Sequence, residues 1–351
     1  MSAPEHYDEH TFSENPEVTT PLQVPEEVRT DISPIPVLPQ LGVALGMLAL
    51  VFGITYVGGS EKPAEGTDSM VRVEKRLPDD MRIAERPSGT FEDLHLQAQS
   101  VIVWDVATQR VLFNKNADEA RPIASVTKLM TALVAYELLD PDATVTITDE
   151  AIRTEGDSGL LSGETFTVQN LTDLTLIESS NDGATALAIK AGNSVMPQAD
   201  GGSVFVSAMN LKADELGLTK TRFHNSTGLD LSETEAGAYG SARDMAHLME
   251  YLITKHPDAA ALTTLDATTI YDTSGKYHVV KNTNEVAGNI DGLIASKTGY
   301  TLLSGGNLVI AVNLGLNRPV VIAVLGSSTQ GRFTDALALL EEARVAVEQE
   351  I

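Results

Sequence analysis

Apolar and polar positions divide this chain into four segments. Residues 1–38 are polar, acidic and rich in proline, which predicts a disordered tail. An uncharged apolar run over residues 41–57, together with its flanks, predicts a transmembrane helix over residues 39–58. Residues 59–88 mix glycine, proline, serine and charged residues, as linkers do. Apolar positions recur periodically over residues 89–351, where we expect one globular domain.

The pattern within this last segment predicts an α+β domain. Two apolar runs within residues 100–114 predict one β-hairpin, and two runs within residues 307–325 predict another. The other predicted elements are a helix over residues 124–139, a helix in two pieces over residues 171–191, a strand over residues 293–297 and a closing helix over residues 333–348. Strands at both ends with helices between them predict an antiparallel sheet flanked by helices.

The apolar run over residues 41–57 has two other interpretations. The apolar core of a signal peptide normally follows a short basic region, whereas a long acidic region precedes this run. A buried helix of a soluble domain is the second alternative. The nearest basic residues are Arg29 on one side and Lys62 and Arg72 on the other, too few to decide the orientation by the positive-inside rule.

The composition excludes several functions. The 351 residues include 49 acidic and 24 basic ones, a formal net charge of −25. Nucleic-acid phosphates require clusters of lysine and arginine, so we predict no nucleic-acid partner. The absence of cysteine excludes disulfides, thiolate zinc ligands and a thiol nucleophile. The seven histidines form no His-Glu-x-x-His pattern, and we predict neither a metal nor a cofactor.

Three short motifs carry the candidate chemistry, and Ser125 and Lys128 form the first. They lie three residues apart at the start of a predicted helix, which places both on one face. A serine needs a base to become a nucleophile, and a lysine acts as a base only when burial or a nearby positive charge, such as Lys297, keeps it neutral. The alternative is a helix-capping serine followed by a surface lysine.

Ser179 and Asn181 form the second motif, a Ser-x-Asn between two predicted helical pieces. The hydroxyl can pass a proton to a leaving amine, and the amide can hold a lysine or a substrate carbonyl. The same composition is equally typical of a simple turn between helices.

Lys297, Thr298 and Gly299 form the third motif, directly after an apolar strand. A lysine and a threonine that extend from a strand into a cleft make a site for a carboxylate. A glycine at this position would let a substrate backbone approach closely. A plain Lys-Thr-Gly turn is the alternative.

In this order the three motifs resemble those of the penicillin-binding proteins and serine β-lactamases. Four segments resemble, beyond the motifs, the low-molecular-mass D-alanyl-D-alanine carboxypeptidases of peptidoglycan metabolism: residues 121–132, 158–164, 223–229 and 241–244. The resemblance implies a β-lactamase/transpeptidase-like fold. It also implies a serine carboxypeptidase that removes the terminal D-alanine from peptidoglycan stem peptides and binds β-lactams.

The resemblance further implies a role for each residue. Ser125 would attack the peptide carbonyl, Lys128 would accept its proton, and Ser179 would help to deliver that proton to the leaving amine. The backbone N–H groups of Ser125 and Tyr300 would form the oxyanion hole. Arg332 would lie near the substrate carboxylate. At position 300 some relatives have histidine, which leaves the side-chain effect on substrate preference open.

The resemblance also bears on location. Many relatives carry a C-terminal β-rich domain with an amphipathic membrane anchor, and here we expect the helix over residues 39–58 to be the anchor instead. Peptidoglycan lies outside the cell membrane. We therefore expect a single-pass protein with a cytoplasmic N-terminus and an extracytoplasmic catalytic domain over residues 89–351.

Other functions are alternatives at this point, although two of them lack a motif that they need. An endopeptidase acting on cross-links would use the same residues. A class A β-lactamase would need a Glu-x-x-Leu-Asn loop, which the chain lacks. A non-hydrolytic sensor would be acylated and would signal through the acidic tail. A lipase would need a Gly-x-Ser-x-Gly turn, which is also absent.

Overall fold

The computed structural model describes residues 91–92, 94–156, 158–315 and 317–350. The predicted tail, membrane helix and linker lie outside these described residues. Within the described ranges, no helix is both long and apolar enough to cross a bilayer.

Strands at both ends of the described region enclose a mainly helical middle. The strands are β1 (Ser100–Asp105), β2 (Arg110–Lys115), β3 (Arg121–Pro122), β4 (Thr144–Thr146), β5 (Thr165–Thr167), β6 (Arg222–Phe223), β7 (Ala238–Gly240), β8 (Ala267–Tyr271), β9 (Tyr277–Lys281), β10 (Leu293–Thr301), β11 (Gly305–Asn313) and β12 (Pro319–Ser327). The α-helices are α1 (Lys128–Leu138), α2 (Val168–Ile177), α3 (Asn181–Val195), α4 (Gly201–Glu215), α5 (Ala242–Lys255) and α6 (Gly331–Glu348). Short 3₁₀ helices cover Ala124–Thr127, Ala151–Arg153, Pro257–Ala259, Ala261–Thr264 and Ala287–Asn289.

The main sheet is antiparallel and has the strand order β10-β11-β12-β1-β2. The first strand of the described region, β1, therefore pairs with β12 near its end, with Val103 opposite Ile322. Both predicted hairpins are confirmed, since β1 pairs with β2 and β11 pairs with β12. The expectation that the two ends of the domain complete one antiparallel sheet is also confirmed.

Helices cover both faces of this sheet. Alternate residues of a strand point to opposite faces. On β1, Val101 and Val103 pack in the same cluster as Leu339 of α6, whereas Ile102 and Trp104 pack in the cluster that contains Leu133 of α1. All six residues of β1 are buried as a result, which is why its sequence lacks the alternation of a half-exposed strand.

The predictions of elements need several corrections. The helix expected over residues 124–139 begins as a 3₁₀ helix and becomes α-helical only at Lys128. The helix expected in two pieces is confirmed as α2 and α3, but α2 begins at Val168 rather than at residue 171. The patterns above did not predict α4, α5 or the β8–β9 hairpin, which the structure adds to the middle of the domain.

Candidate active site

The candidate nucleophile lies in a tight turn. Ser125 is the second residue of the 3₁₀ helix Ala124–Thr127, which leads directly into α1. Ala124 has a φ of +47°, a left-handed value that is uncommon for a residue with a side chain. Ser125 is partly exposed, while Val126 and Thr127 beside it are buried. The turn therefore presents the serine hydroxyl and anchors its backbone.

Two glycines pack closely against the backbone of this turn. A Cβ atom on Gly299 would lie 2.7 Å from the Ile123 carbonyl oxygen and 3.2 Å from the Ser125 nitrogen. A Cβ on Gly228, which has a φ of +80°, would lie 1.9 Å from the Ala124 carbonyl oxygen. The sequence predicted that Gly299 admits a substrate backbone. The structure adds that any side chain there would displace the nucleophile turn itself.

Lys128 is fully buried and contacts the candidate nucleophile. Its Nζ lies 2.9 Å from Ser125 Oγ, 2.7 Å from Asn181 Oδ1 and 2.8 Å from the Thr227 carbonyl oxygen. A neutral amine can donate to the amide and the carbonyl and accept the serine proton with its lone pair. Burial lowers the pKa of Lys128 to about 7. The sequence prediction attributed this neutrality partly to Lys297, whereas burial is the cause that acts on Lys128.

Asn181 orients its amide toward Lys128. Its Nδ2 donates to the Glu155 carbonyl at 2.7 Å, which leaves Oδ1 to accept from the lysine. As the first residue of α3, Asn181 belongs to a rigid element. The sequence predicted that this amide holds either a lysine or a substrate carbonyl, and the structure shows the contact with a lysine.

Ser179 lies in the break between α2 and α3, with a φ of +64°. Such a conformation costs on the order of 1–3 kcal/mol and persists only where neighbours hold it. Ser180 supplies one restraint, since its hydroxyl caps α3 by accepting from the Gly183 N–H at 2.9 Å. Ser158 supplies another, with its Oγ 2.7 Å from Ser180 Oγ and 2.7 Å from Asp182 Oδ2.

Lys297 is the second buried amine of the site, with 1% of its surface exposed. Its Nζ donates to Ser179 Oγ at 2.9 Å and to the Thr298 carbonyl at 3.0 Å. Burial first, and then the positive charges of Lys128 and Arg332, lower the pKa of Lys297 well below its usual value. The partners that the structure gives to the two amines are all uncharged, so neither lysine is held protonated by a carboxylate.

Thr298 belongs to the third motif, and Arg332 contacts the glycine that follows it. Thr298 is buried, with its Oγ1 2.6 Å from Thr283 Oγ1. The Arg332 guanidinium donates to the Gly299 carbonyl at 3.1 Å and lies over the Phe333 ring, 4.6 Å from its centroid. The Nε atom of Arg332 is buried and has no hydrogen-bond partner. Arg332 therefore brings a positive charge to the strand of the third motif.

Tyr300 follows the third motif on β10, the edge strand of the main sheet. Its neighbour on β11 is Gly306, and about half of its side chain is exposed. The other edge of β10 faces no strand of this sheet and packs along the 3₁₀ helix that contains Ser125. Backbone groups on an edge that pairs with no strand remain able to bind a ligand.

The structure thus brings the first, second and third motifs into one cleft. It also adds contributors that the sequence prediction missed, chiefly Thr227, Thr283 and Ser158. Thr227 acts through its backbone carbonyl, which no side-chain pattern reveals. Within the part of the chain that the structure describes, no group of three or more His, Asp or Glu side chains could hold a metal ion.

Comparisons with known proteins identify the family of this chain. A family model described as D-alanyl-D-alanine carboxypeptidase matches residues 86–329. The D-alanyl-D-alanine carboxypeptidase DacF of Bacillus subtilis (strain 168) is 33% identical over 252 residues, which are 70% of this chain and 61% of that protein. A D-alanyl-D-alanine endopeptidase of Haemophilus influenzae is 37% identical over 217 residues, which are 60% of this chain and 69% of that relative.

Solved structures share the fold. The crystal structure of a D-alanyl-D-alanine carboxypeptidase from Mycobacterium tuberculosis H37Rv has a TM-score of 0.65 and 28% identity, and the match covers 74% of this chain and 96% of that one. The α+β fold with an antiparallel sheet expected from the sequence is therefore confirmed. The matched family model, the relatives and the cleft together show that this chain belongs to the D-alanyl-D-alanine carboxypeptidase family of serine peptidases.

Proposed function

We propose that this chain is a serine D-Ala-D-Ala carboxypeptidase that removes the terminal D-alanine from peptidoglycan stem peptides. The contact between Lys128 Nζ and Ser125 Oγ, 2.9 Å long, carries the proposal. It joins a nucleophile to a base in a neighbourhood without a paired carboxylate. A lysine with a pKa of about 7 is neutral in a large fraction of molecules at neutral pH.

The first step forms an acyl-enzyme. Ser125 Oγ attacks the carbonyl carbon between the two D-alanines while neutral Lys128 takes the hydroxyl proton. Negative charge then develops on the carbonyl oxygen. The backbone N–H groups of Ser125 and Tyr300 stabilise this charge, as the family resemblance implies.

Breakdown of the tetrahedral intermediate releases D-alanine. The C–N bond breaks, and the proton taken by Lys128 returns to the leaving nitrogen through the Ser179 hydroxyl. Lys297 supports this path because it donates to Ser179 Oγ and leaves the hydroxyl proton available for the amine. Water then attacks the ester with Lys128 as base, which regenerates Ser125 and releases the shortened peptide.

The positive charge of Arg332 favours a carboxylate-bearing substrate. The chain has a net charge of −25, yet this guanidinium lies on the strand of the third motif, where it donates to the Gly299 carbonyl. A stem peptide that ends in D-alanine carries its carboxylate next to the scissile bond. β-Lactams combine a reactive carbonyl with a carboxylate, and we expect them to acylate Ser125.

The test uses the part of the chain from about residue 85, incubated with benzylpenicillin and followed by mass spectrometry beside Ser125→Ala. A second assay measures D-alanine released from a peptide that ends in D-Ala-D-Ala. The expected result is a penicilloyl adduct on Ser125 together with D-alanine release, both absent from the variant. An adduct without release would favour an endopeptidase or a sensor. Neither adduct nor release from folded protein would overturn the proposal.

We also propose that residues 39–58 anchor the enzyme in the cell membrane, with residues 1–38 in the cytoplasm and the catalytic domain outside. The uncharged run over residues 41–57 supports this topology. The test compares the full chain with a chain that starts at residue 85 by membrane fractionation. Protease added to spheroplasts should degrade the catalytic domain of the full chain. Recovery of the full chain in the soluble fraction would contradict this topology, and so would protection of its catalytic domain from the protease.

A further inference from the structure

Thr283 connects the two sides of the cleft. Its backbone N–H donates to the Ile177 carbonyl at 3.0 Å, at the end of α2 and two residues before Ser179. Its side chain reaches the opposite side, where Oγ1 lies 2.6 Å from Thr298 Oγ1. No sequence motif identified Thr283, although it contacts the threonine of the third motif directly.

The neighbours of Thr283 fix its position. Asn282 is buried and donates through Nδ2 to the carbonyls of Thr263 and Leu265, each at 2.8 Å. Asn284 is also buried, and its backbone N–H donates to Asn282 Oδ1 at 2.8 Å. These contacts hold the backbone on both sides of Thr283, so its hydroxyl is held beside Thr298.

Either hydroxyl can donate across the contact between Thr283 and Thr298. Besides Thr298 Oγ1 at 2.6 Å, the Thr283 hydroxyl has the Ile177 carbonyl at 3.4 Å, a poor distance for an O–H donor. That carbonyl already accepts the Thr283 backbone N–H. When a carboxylate accepts the Thr298 proton, donation from Thr283 to Thr298 is therefore the better arrangement. Each threonine hydroxyl has one proton, so the two hydroxyls and the carboxylate then form one chain of hydrogen bonds.

We infer that Thr283 is a positioning residue that sets the preference for a substrate carboxylate. By occupying a lone pair of Thr298, it directs the Thr298 O–H into the cleft, where a carboxylate oxygen can accept it. With the opposite donor direction, Thr298 could only accept and would oppose a negatively charged group. The inference rests on the proposed function because it names what the same site recognises.

The test compares two substitutions at Thr283 in the chain that starts at residue 85. Thr283→Val removes the hydroxyl and keeps the shape, and Thr283→Ser keeps the hydroxyl and removes a methyl group. Acylation of Ser125 is timed by mass spectrometry with benzylpenicillin and with its uncharged methyl ester. In Thr283→Val we expect the ratio of the acid rate to the ester rate to fall about tenfold. Thr283→Ser should recover most of this preference.

The outcomes separate the inference from the proposed function. If the unsubstituted protein is not acylated by benzylpenicillin, the proposed function fails. If it is acylated and the ratio of the acid rate to the ester rate is unchanged in Thr283→Val, the inference is overturned. This includes the case in which both compounds are slowed equally, where Thr283 has only a structural role. Matching thermal unfolding of the two variants excludes misfolding as the cause of a changed ratio.

Discussion

Two regions of this domain bury lysines, and they shift the lysine pKa in opposite directions. The catalytic cleft buries Lys128 and Lys297 among hydroxyl, amide and carbonyl groups. The junction of α1, α4 and α5 buries Lys212, whose side chain is 3% exposed. There Nζ lies 2.7 Å from Glu137 Oε1 and 3.2 Å from Glu215 Oε2, and 5.1 Å from the centre of the Tyr251 ring.

Burial alone therefore does not decide the charge of a lysine. Burial opposes the charged form in both regions. At Lys212 the hydrogen bonds and charges of Glu137 and Glu215 outweigh burial, and its pKa is raised. At Lys128 no carboxylate compensates, and burial lowers the pKa to about 7. The carboxylates around Lys212 stabilise the fold, and the uncharged groups around Lys128 produce a base.

The largest expected effect comes from Lys128→Met in the cleft. Without the amine no group takes the Ser125 proton, so we expect acylation by benzylpenicillin to slow by about 10³-fold or more. Mass spectrometry of the adduct at timed intervals measures the rate. The matched control is Lys212→Met, the same substitution at the other buried lysine, which should leave the acylation rate within about threefold. Normal acylation in Lys128→Met would contradict the assignment of the base.

The second effect is on stability and comes from Lys212→Met. Removing the amine leaves the largely buried Glu137 without its lysine partner, so the free energy of unfolding should fall by about 3 kcal/mol. Urea unfolding followed by circular dichroism measures the change. Substituting Glu137→Gln together with Lys212→Met removes both charges and should restore part of the loss. A double variant less stable than Lys212→Met would contradict the argument from charge pairing.

A third prediction concerns pH. The protonated form of Lys128 cannot accept a proton, and its pKa is about 7. The acylation rate should therefore rise with pH through about 7 and fall about tenfold per unit below it. Stopped-flow measurement of acylation between pH 5 and pH 9 tests this dependence. A rate that stays constant from pH 5 to pH 9 would show that no group with this pKa acts as the base.

The smallest expected effect is that of Glu215→Gln. This carboxylate is the second partner of Lys212, and its side chain is half exposed, so solvent screens the interaction. We expect a loss of about 0.5 kcal/mol in the free energy of unfolding. Comparison with Glu137→Gln in the same urea experiment measures the difference between an exposed and a buried partner. Equal losses for the two variants would contradict the role assigned to burial.

Local sequence patterns predicted the elements in which apolar and polar residues alternate, and those whose ends are marked by turn residues. Both hairpins of the main sheet were predicted because their apolar runs flank short polar turns. The start of α1 was not, because the left-handed Ala124 and the 3₁₀ turn depend on packing against Gly228 and Gly299. Neither glycine is near Ala124 along the chain, so no local pattern carries this information.

The sequence by itself determined the chemistry that this protein carries: a serine, two lysines and a Ser-x-Asn in the order of its family, within an α+β domain. Only the tertiary structure decided the lowered pKa of Lys128 and the partners it meets, such as the Thr227 carbonyl. It also decided the pairing of Thr283 with Thr298. The physical reason is that pKa and hydrogen-bond direction depend on burial and on groups brought together from distant positions, whereas motifs record only side-chain type and spacing.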